Sequence, residues 1–180
     1  MGKINWYALY VRMHHEKRTA ERLAQMEVEY YLPVQEVVRQ WSDRKKKLQM
    51  VVIPMMIFVH TDEVNRIKLM QQLPSVTGTL IDRCTHRPAI IREDEMERFK
   101  FMLDFSEEAV TFTDGPIHLG EKVQVLKGPL KGLTGELIET HGKTRVSVRI
   151  ENLGYAAVEI PAGFIESCLL YTSPSPRDCS

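Results

Sequence analysis

Apolar residues along the first hundred positions form runs and stripes that predict short strands and amphipathic helices. The longest run, residues 48–60, is almost wholly apolar and lies between a basic segment and an acidic one. Its Val, Ile and Phe content favours a strand that is buried on both faces. Pro54 cannot donate to a sheet, so we predict a core strand at residues 55–59, entered through a kink at Ile53-Pro54. The run is shorter than the roughly 18 residues that a membrane-spanning helix requires.

On either side of this strand, extended and helical patterns are mixed. Strands are predicted at residues 6–11, 30–34, 36–41 and 76–81, and helices at residues 15–26, 63–72 and 92–103. Asp62 is a suitable cap for the second helix. The expected buried faces are Ala20, Leu23 and Ala24, then Val64, Ile67 and Met70 or Gln71, then Met96, Phe99 and Leu103. Such mixing predicts an α+β fold with helices packed against a mainly antiparallel sheet.

The second half of the chain has a different pattern. Residues 121–127 alternate with period two, and several short strand-like segments with glycine turns follow, which predicts a small SH3-like β-barrel. We therefore expect an N-terminal α/β sandwich at residues 1–105, a linker at 106–117 and the barrel at 118–167. Residues 168–180 match neither pattern and resemble translated adapter sequence, so we expect a non-native tail.

Composition narrows the functional classes. Lys plus Arg equals Asp plus Glu at 24 each, which argues against a protein that coats nucleic acid by charge alone. The three cysteines are odd in number and show no disulfide spacing, and no secretory signal is apparent at the start. These features predict a cytoplasmic protein.

The sequence contains no combination of residues that predicts catalysis, a cofactor or a metal site. His14 and His15 are adjacent and point in different directions, and Cys84 and His86 have no second pair at zinc spacing. Because no set of nucleophile, base and orienting group is present, we predict that the protein is not an enzyme. A basic set where the first strand passes into the first helix is either a solvated face or a nucleic-acid contact. It comprises Arg12, His14, His15, Lys17, Arg18 and Arg22.

Four segments resemble a known family. They are Trp6-Tyr7-x-x-Tyr10, Ile53-Pro54-Met55-Met56-Ile57-Phe58-Val59, Leu73-Pro74-Ser75-Val76-Thr77-Gly78, and the glycine-rich residues 123–135. The first three are similar to the N-terminal (NGN) domain of NusG-type transcription elongation factors, and the fourth resembles that family's KOW motif. The resemblance covers about residues 4–167. It is nearest to the specialised paralogues, RfaH and the UpxY antiterminators of capsular polysaccharide operons.

The resemblance implies a mechanism. An apolar surface of the NGN domain would bind the clamp helices of RNA polymerase and suppress pausing or termination. Carried over by position, that surface comprises Tyr7, Tyr10, Ile53, Met56 and Phe58. This chain has Ile-Pro-Met-Met where the common pattern is Phe-Pro-Gly-Tyr, so the chemistry of the contact is expected to differ.

Further partners follow from the same resemblance. In specialised paralogues the start of the first helix reads the non-template DNA strand, which here indicates Arg12, His14, His15, Arg18 and Arg22. The barrel would dock a ribosomal small-subunit protein or Rho near Ile150, Leu153 and Tyr155. The alternative is a KOW-containing RNA-binding or ribosome-associated protein. Such a barrel should be markedly basic, whereas residues 117–167 carry six bases and six acids.

Overall fold

The structure, a computed structural model, describes residues 2–40, 45–113, 120–140 and 143–168. Its first ten elements are β1 (Asn5–Val11), α1 (Glu16–Gln25), β2 (Glu29–Tyr31), β3 (Val34–Gln40), β4 (Lys45–Val51), β5 (Met56–Thr61), α2 (Glu63–Gln72), β6 (Val76–Thr79), β7 (Ile90–Ile91) and α3 (Glu93–Phe105). The others are β8 (Thr111–Thr113), β9 (Lys122–Val125), β10 (Thr134–Thr140), β11 (Lys143–Ile150), β12 (Gly154–Glu159), a 3-10 turn (Ala162–Phe164) and β13 (Ile165–Ser167). The end of the predicted strand at 36–41, part of the predicted linker and all but Cys168 of the predicted tail lie outside the described residues.

The N-terminal sheet has the strand order β2-β5-β1-β6, with β7 also paired to β1, and every pairing is antiparallel. Side chains alternate along β1, so Tyr7 and Leu9 pack beneath α1 and α2, whereas Trp6 and Ala8 pack beneath α3. The sheet is therefore covered by helices on both faces. The predicted α+β fold is confirmed.

The helices lie within two residues of their predicted bounds, but two of the predicted buried faces differ. Asp62 accepts a hydrogen bond from the backbone N–H of Asn65 and caps α2. The buried residues of α2 are Arg66 and Leu69, whereas the predicted Val64 and Ile67 are exposed. The guanidinium of Arg66 covers the Tyr7 ring at 5.4 Å, so a cation takes the place expected for an apolar residue. On α1, the predicted Ala24 is exposed, and the buried face consists of Glu16, Thr19, Ala20 and Leu23.

The apolar run at 48–60 is not one strand. Its beginning belongs to β4, which pairs with β3 in a separate two-stranded sheet, and its end forms β5 in the N-terminal sheet. The predicted kink at Ile53-Pro54 separates the two strands. The core strand predicted at residues 55–59 is therefore present as β5, which is buried on both faces, whereas the strand β4 before the kink was not predicted.

The C-terminal sheet has the strand order β13-β9-β10-β11-β12-β8. Among the described strands, β8 and β13 lie at opposite edges, so the sheet is open and the predicted closed barrel is corrected. Within the described ranges each of these edge strands has three residues, and no pairing connects one edge to the other. Residues 111–113 of the predicted linker form β8, paired with β12, so this part of the linker is built into the sheet.

Helix α3 lies between the two sheets and contacts both β1 and β11. Its buried Met96, Phe99 and Met102 belong to one apolar core that also contains residues of the C-terminal sheet. Gln35 fastens the connecting segment: its amide nitrogen donates to the carbonyl oxygen of Glu108, and its amide oxygen accepts from the N–H of Val110. Among the described residues, no helix has the length and hydrophobicity to cross a membrane.

Candidate functional site

The five residues predicted to contact polymerase lie on both faces of the N-terminal sheet. Tyr10 is 38% exposed at the end of β1. Tyr7 is buried beneath α2, and Phe58 is buried in an aromatic group with Tyr31 and Phe99. Burial, followed by the negative charge of Asp104, raises the pKa of Tyr31, so its phenol stays neutral. Tyr7 and Phe58 are thus placed to support the surface from within.

Tyr10, Ile53 and Met56 line a cleft of about 730 Å³ between the two sheets. The opposite wall includes the predicted partner residues Ile150, Leu153 and Tyr155. Ile53 and Met56 are only 4% and 5% exposed, and Ile150 is 1% exposed. The structure therefore brings two sets of residues, predicted for two different partners, against each other.

The turn that carries Pro54 and Met55 is held from two sides. Met55 has φ 60°, in the left-handed region that favours glycine, and it stands where the common family pattern has glycine. Its N–H donates to Oε1 of Glu16 at 2.9 Å, and its carbonyl oxygen accepts from the N–H of Val11 at 2.8 Å. The first turn of α1 is thereby joined directly to the turn before β5.

Four of the predicted DNA-binding residues lie at or before the first turns of α1, and the fifth, Arg22, lies in its last turn. Arg12, His14 and Arg18 are exposed, and His15 and Arg22 are half-buried. Arg18 and Arg22 are four positions apart, so they lie on one stripe of the helix. None of the five makes an ion pair with an acid among the described residues, which leaves the three arginine charges available to an anion.

The KOW-like segment forms the turn between β9 and β10. Gly128 and Gly132 have φ 84° and 95°, which side-chain-bearing residues rarely adopt. Gly135 packs against β11, where an added Cβ would overlap the Ser147 carbonyl oxygen. The glycines of this segment are therefore required by backbone geometry. Leu153 and Tyr155 are half-buried, and Ile150 belongs to the core.

Several residues of the site were not predicted from the sequence. Ile81, Arg83, Phe112 and Arg149 also line the cleft. Glu16 was read only as part of a helix, although an acid at the first helical position beside an apolar stripe was a usable signal. Outside the cleft, buried Glu95 of α3 accepts a hydrogen bond from the N–H of Glu151 through Oε2 at 3.0 Å. This hydrogen bond joins α3 to the turn between β11 and β12.

The Cys84 segment is an ordinary turn. The N–H groups of Cys84 and Thr85 donate to Oδ1 of Asp82 and lower the pKa of that carboxyl below its usual 3.8. Within the described ranges, no group of three or more His, Cys, Asp or Glu residues could hold a metal ion. The hydrogen bonds of Asp82 therefore stabilise the turn that contains Cys84.

The fold is of the α+β class, with a helix-covered antiparallel sheet and a second sheet packed beside it. The sequence profile described as "Transcription termination factor nusG" matches residues 4–100, more than half of the chain. The chain therefore belongs to the NusG family of transcription factors.

The solved structures that resemble this chain share low sequence identity with it. "Domain interaction in Thermotoga maritima NusG" is 16% identical with a TM-score of 0.49, covering 92% of this chain and 98% of that one. "Crystal Structure of MjSpt4:Spt5 complex conformation A" is 17% identical with a TM-score of 0.30, covering 90% and 96%. No curated protein shows significant sequence similarity.

Proposed function

We propose that the protein is a transcription elongation or antitermination factor that binds the clamp helices of RNA polymerase and suppresses pausing or termination. The observation that carries this proposal is the family match over residues 4–100, the segment that contains the Tyr10, Ile53 and Met56 surface. The same residues line a cleft, where apolar side chains would meet a partner helix. The protein would act in the cytoplasm.

In the arrangement described above, the C-terminal sheet occupies the space in front of Ile53 and Met56. A polymerase helix could not reach residues that are 4% and 5% exposed unless the C-terminal sheet moved away. We therefore propose that this arrangement is a resting state. Binding of polymerase would compete with the contact between the two sheets.

The basic residues at the start of α1 would contact the non-template DNA strand. In the described part of the chain no acid forms an ion pair with them. A protein that is neutral overall but basic at this surface suits DNA recognition that follows recruitment by protein. This division of roles supports a specialised factor acting at particular operons, such as polysaccharide biosynthesis loci.

The C-terminal sheet would be a KOW module that docks a ribosomal small-subunit protein or Rho after release. The left-handed Gly128 and Gly132 and the close packing of Gly135 support the KOW assignment. Leu153 and Tyr155 would contact this partner, and they are the side chains of the predicted set that keep some exposure. The same proposal divides the chain into a polymerase-binding domain at residues 1–105 and a KOW domain at residues 118–167.

The test is binding of the full chain to the cognate RNA polymerase elongation complex, measured by pull-down and titration. We expect binding that is lost in the Tyr10→Ala, Ile53→Glu variant and kept in the matched Ile67→Glu variant, which changes an exposed apolar residue of α2. Absence of binding by a folded chain would favour the RNA-binding alternative. The same test is made on the Glu95→Ala variant, which loses the hydrogen bond to Glu151 and should separate the two sheets more readily.

A further inference from the structure

We propose that Met55 is an additional polymerase-contact residue and that Glu16 is the residue that positions it. This inference rests on the proposed function and deepens it. It concerns a side chain outside the predicted surface and a carboxylate on a different element. Two independent features carry it: the backbone conformation of Met55 and the burial of Glu16.

Met55 occupies a conformation that an ordinary residue adopts at a cost. Its φ of 60° lies in the left-handed region, where glycine is free of strain and asparagine is tolerated. A turn selected for stability alone would carry one of those residues. Strain that persists at an exposed turn points to a use for the side chain itself.

The Met55 side chain is placed where a partner can reach it. Met55 is 44% exposed, and it is absent from the cleft wall formed by Ile53, Pro54 and Met56. It therefore stays accessible while the C-terminal sheet covers Ile53 and Met56. A flexible, polarisable thioether is well suited to an adaptable protein contact.

Glu16 supplies the acceptor that holds the turn. It is 7% exposed, and its Oε1 accepts the Met55 N–H at 2.9 Å, across 39 positions of sequence. As the first residue of α1, its carboxylate also lies at the positive end of the helix dipole. The other side of the turn is held by the N–H of Val11, which donates to the Met55 carbonyl oxygen.

The same helix turn carries Arg18, one of the predicted DNA-binding residues, and follows three others directly. Thr19, one turn along α1, makes a buried hydroxyl hydrogen bond to Ser75, whose carbonyl oxygen accepts the N–H of Arg12. Glu16 therefore belongs to a rigid joint between the start of α1 and the Met55 turn. The geometry gives the two predicted contact surfaces a fixed relative position.

The first experiment separates contact from stability. Met55→Gly and Met55→Asn keep the left-handed turn but remove the thioether, so thermal midpoints should equal or exceed that of the original chain. Affinity for the elongation complex should fall about tenfold, as expected for losing one half-exposed apolar contact. The matched control is Met26→Asn, at a 38%-exposed methionine beyond the end of α1, with unchanged affinity. Unchanged affinity in both Met55 variants would overturn the assignment of Met55.

The second experiment is a double-mutant cycle on Glu16. Glu16→Ala should weaken binding about tenfold, because an unpaired N–H loosens the turn, whereas Glu16→Gln keeps an acceptor oxygen and should bind normally. In the Met55→Gly background, Glu16→Ala should cause little further loss. Equal losses in both backgrounds would show a purely structural role and overturn the positioning role. Glu21→Ala, at an exposed acid of the same helix, is the control.

The outcomes distinguish this inference from the function on which it depends. If the full chain and its Glu95→Ala variant both fail to bind the elongation complex, the proposed function fails. If substitutions at Tyr10 and Ile53 weaken binding but substitutions at Met55 do not, only the contact role of Met55 fails.

Discussion

Truncation of Glu95 should release the C-terminal sheet from α3. Glu95 is 4% exposed, and its Oε2 accepts the N–H of Glu151 at 3.0 Å. Its ion pair with Arg92, at 3.4 Å, contributes little because the Arg92 side chain is 60% exposed. A hydrogen bond to a charged acceptor contributes about 1.5–3 kcal/mol, so Glu95→Ala should shift the equilibrium toward separated sheets by about tenfold or more.

The shift should appear as tighter binding to polymerase. If only the separated state binds, the apparent Kd equals the intrinsic Kd divided by the separated fraction, so an increase in that fraction lowers the apparent Kd by about the same factor. Glu95→Gln keeps an acceptor oxygen and should have a smaller effect. Glu97→Ala, at an exposed acid on the same helix, should have none.

Two assays together check this reasoning. One is titration of the elongation complex with the labelled chain. The other is energy transfer between dyes on the exposed Cys84 and Cys168, with Cys179 replaced by serine. Glu95→Ala should lower the transfer efficiency and the apparent Kd in parallel. A folded Glu95→Ala variant with unchanged energy transfer and unchanged or weaker binding would refute the resting-state proposal.

Two further predictions concern stability. Gly135→Ala should lower the free energy of unfolding, measured by urea titration, by about 2–3 kcal/mol, because the new Cβ would overlap Ser147 and Val146. The control is Gly163→Ala, at a glycine with open space around it, which should change the free energy of unfolding by less than about 0.5 kcal/mol. A neutral Gly135→Ala would contradict the packing described here. Asp82 ionises more readily in the folded loop, so its contribution is present above the usual pKa of 3.8 and lost as the pH falls through the folded value. An NMR titration of the Asp82 carboxyl that gives 3.8 or more would contradict this.

The sequence alone determined the local elements. Helical periodicity placed the three helices of the described ranges. Asp62 was identified as a cap because its side chain accepts from an N–H only three residues away, which is a local contact. Period-two alternation and glycine turns indicated the strands of the second half, and the family motifs indicated the functional class. These signals depend on residues that are close along the chain.

Other features were decided only by tertiary structure. Periodicity shows that a helix buries one face but does not identify the partner, so Arg66 on the Tyr7 ring was missed and Ile67 was misplaced. Closure of the second sheet depends on which strands pair at its edges, and alternation does not report strand pairing.

The functional site is the clearest case of this limit. The contact between Glu16 and Met55 joins residues 39 positions apart, and Glu95 reaches Glu151 across 56. The cleft that brings Ile53 to Leu153 is formed by packing α3 between two sheets. Such long-range contacts depend on how complete elements pack, a property of the folded chain that no local pattern of residues encodes.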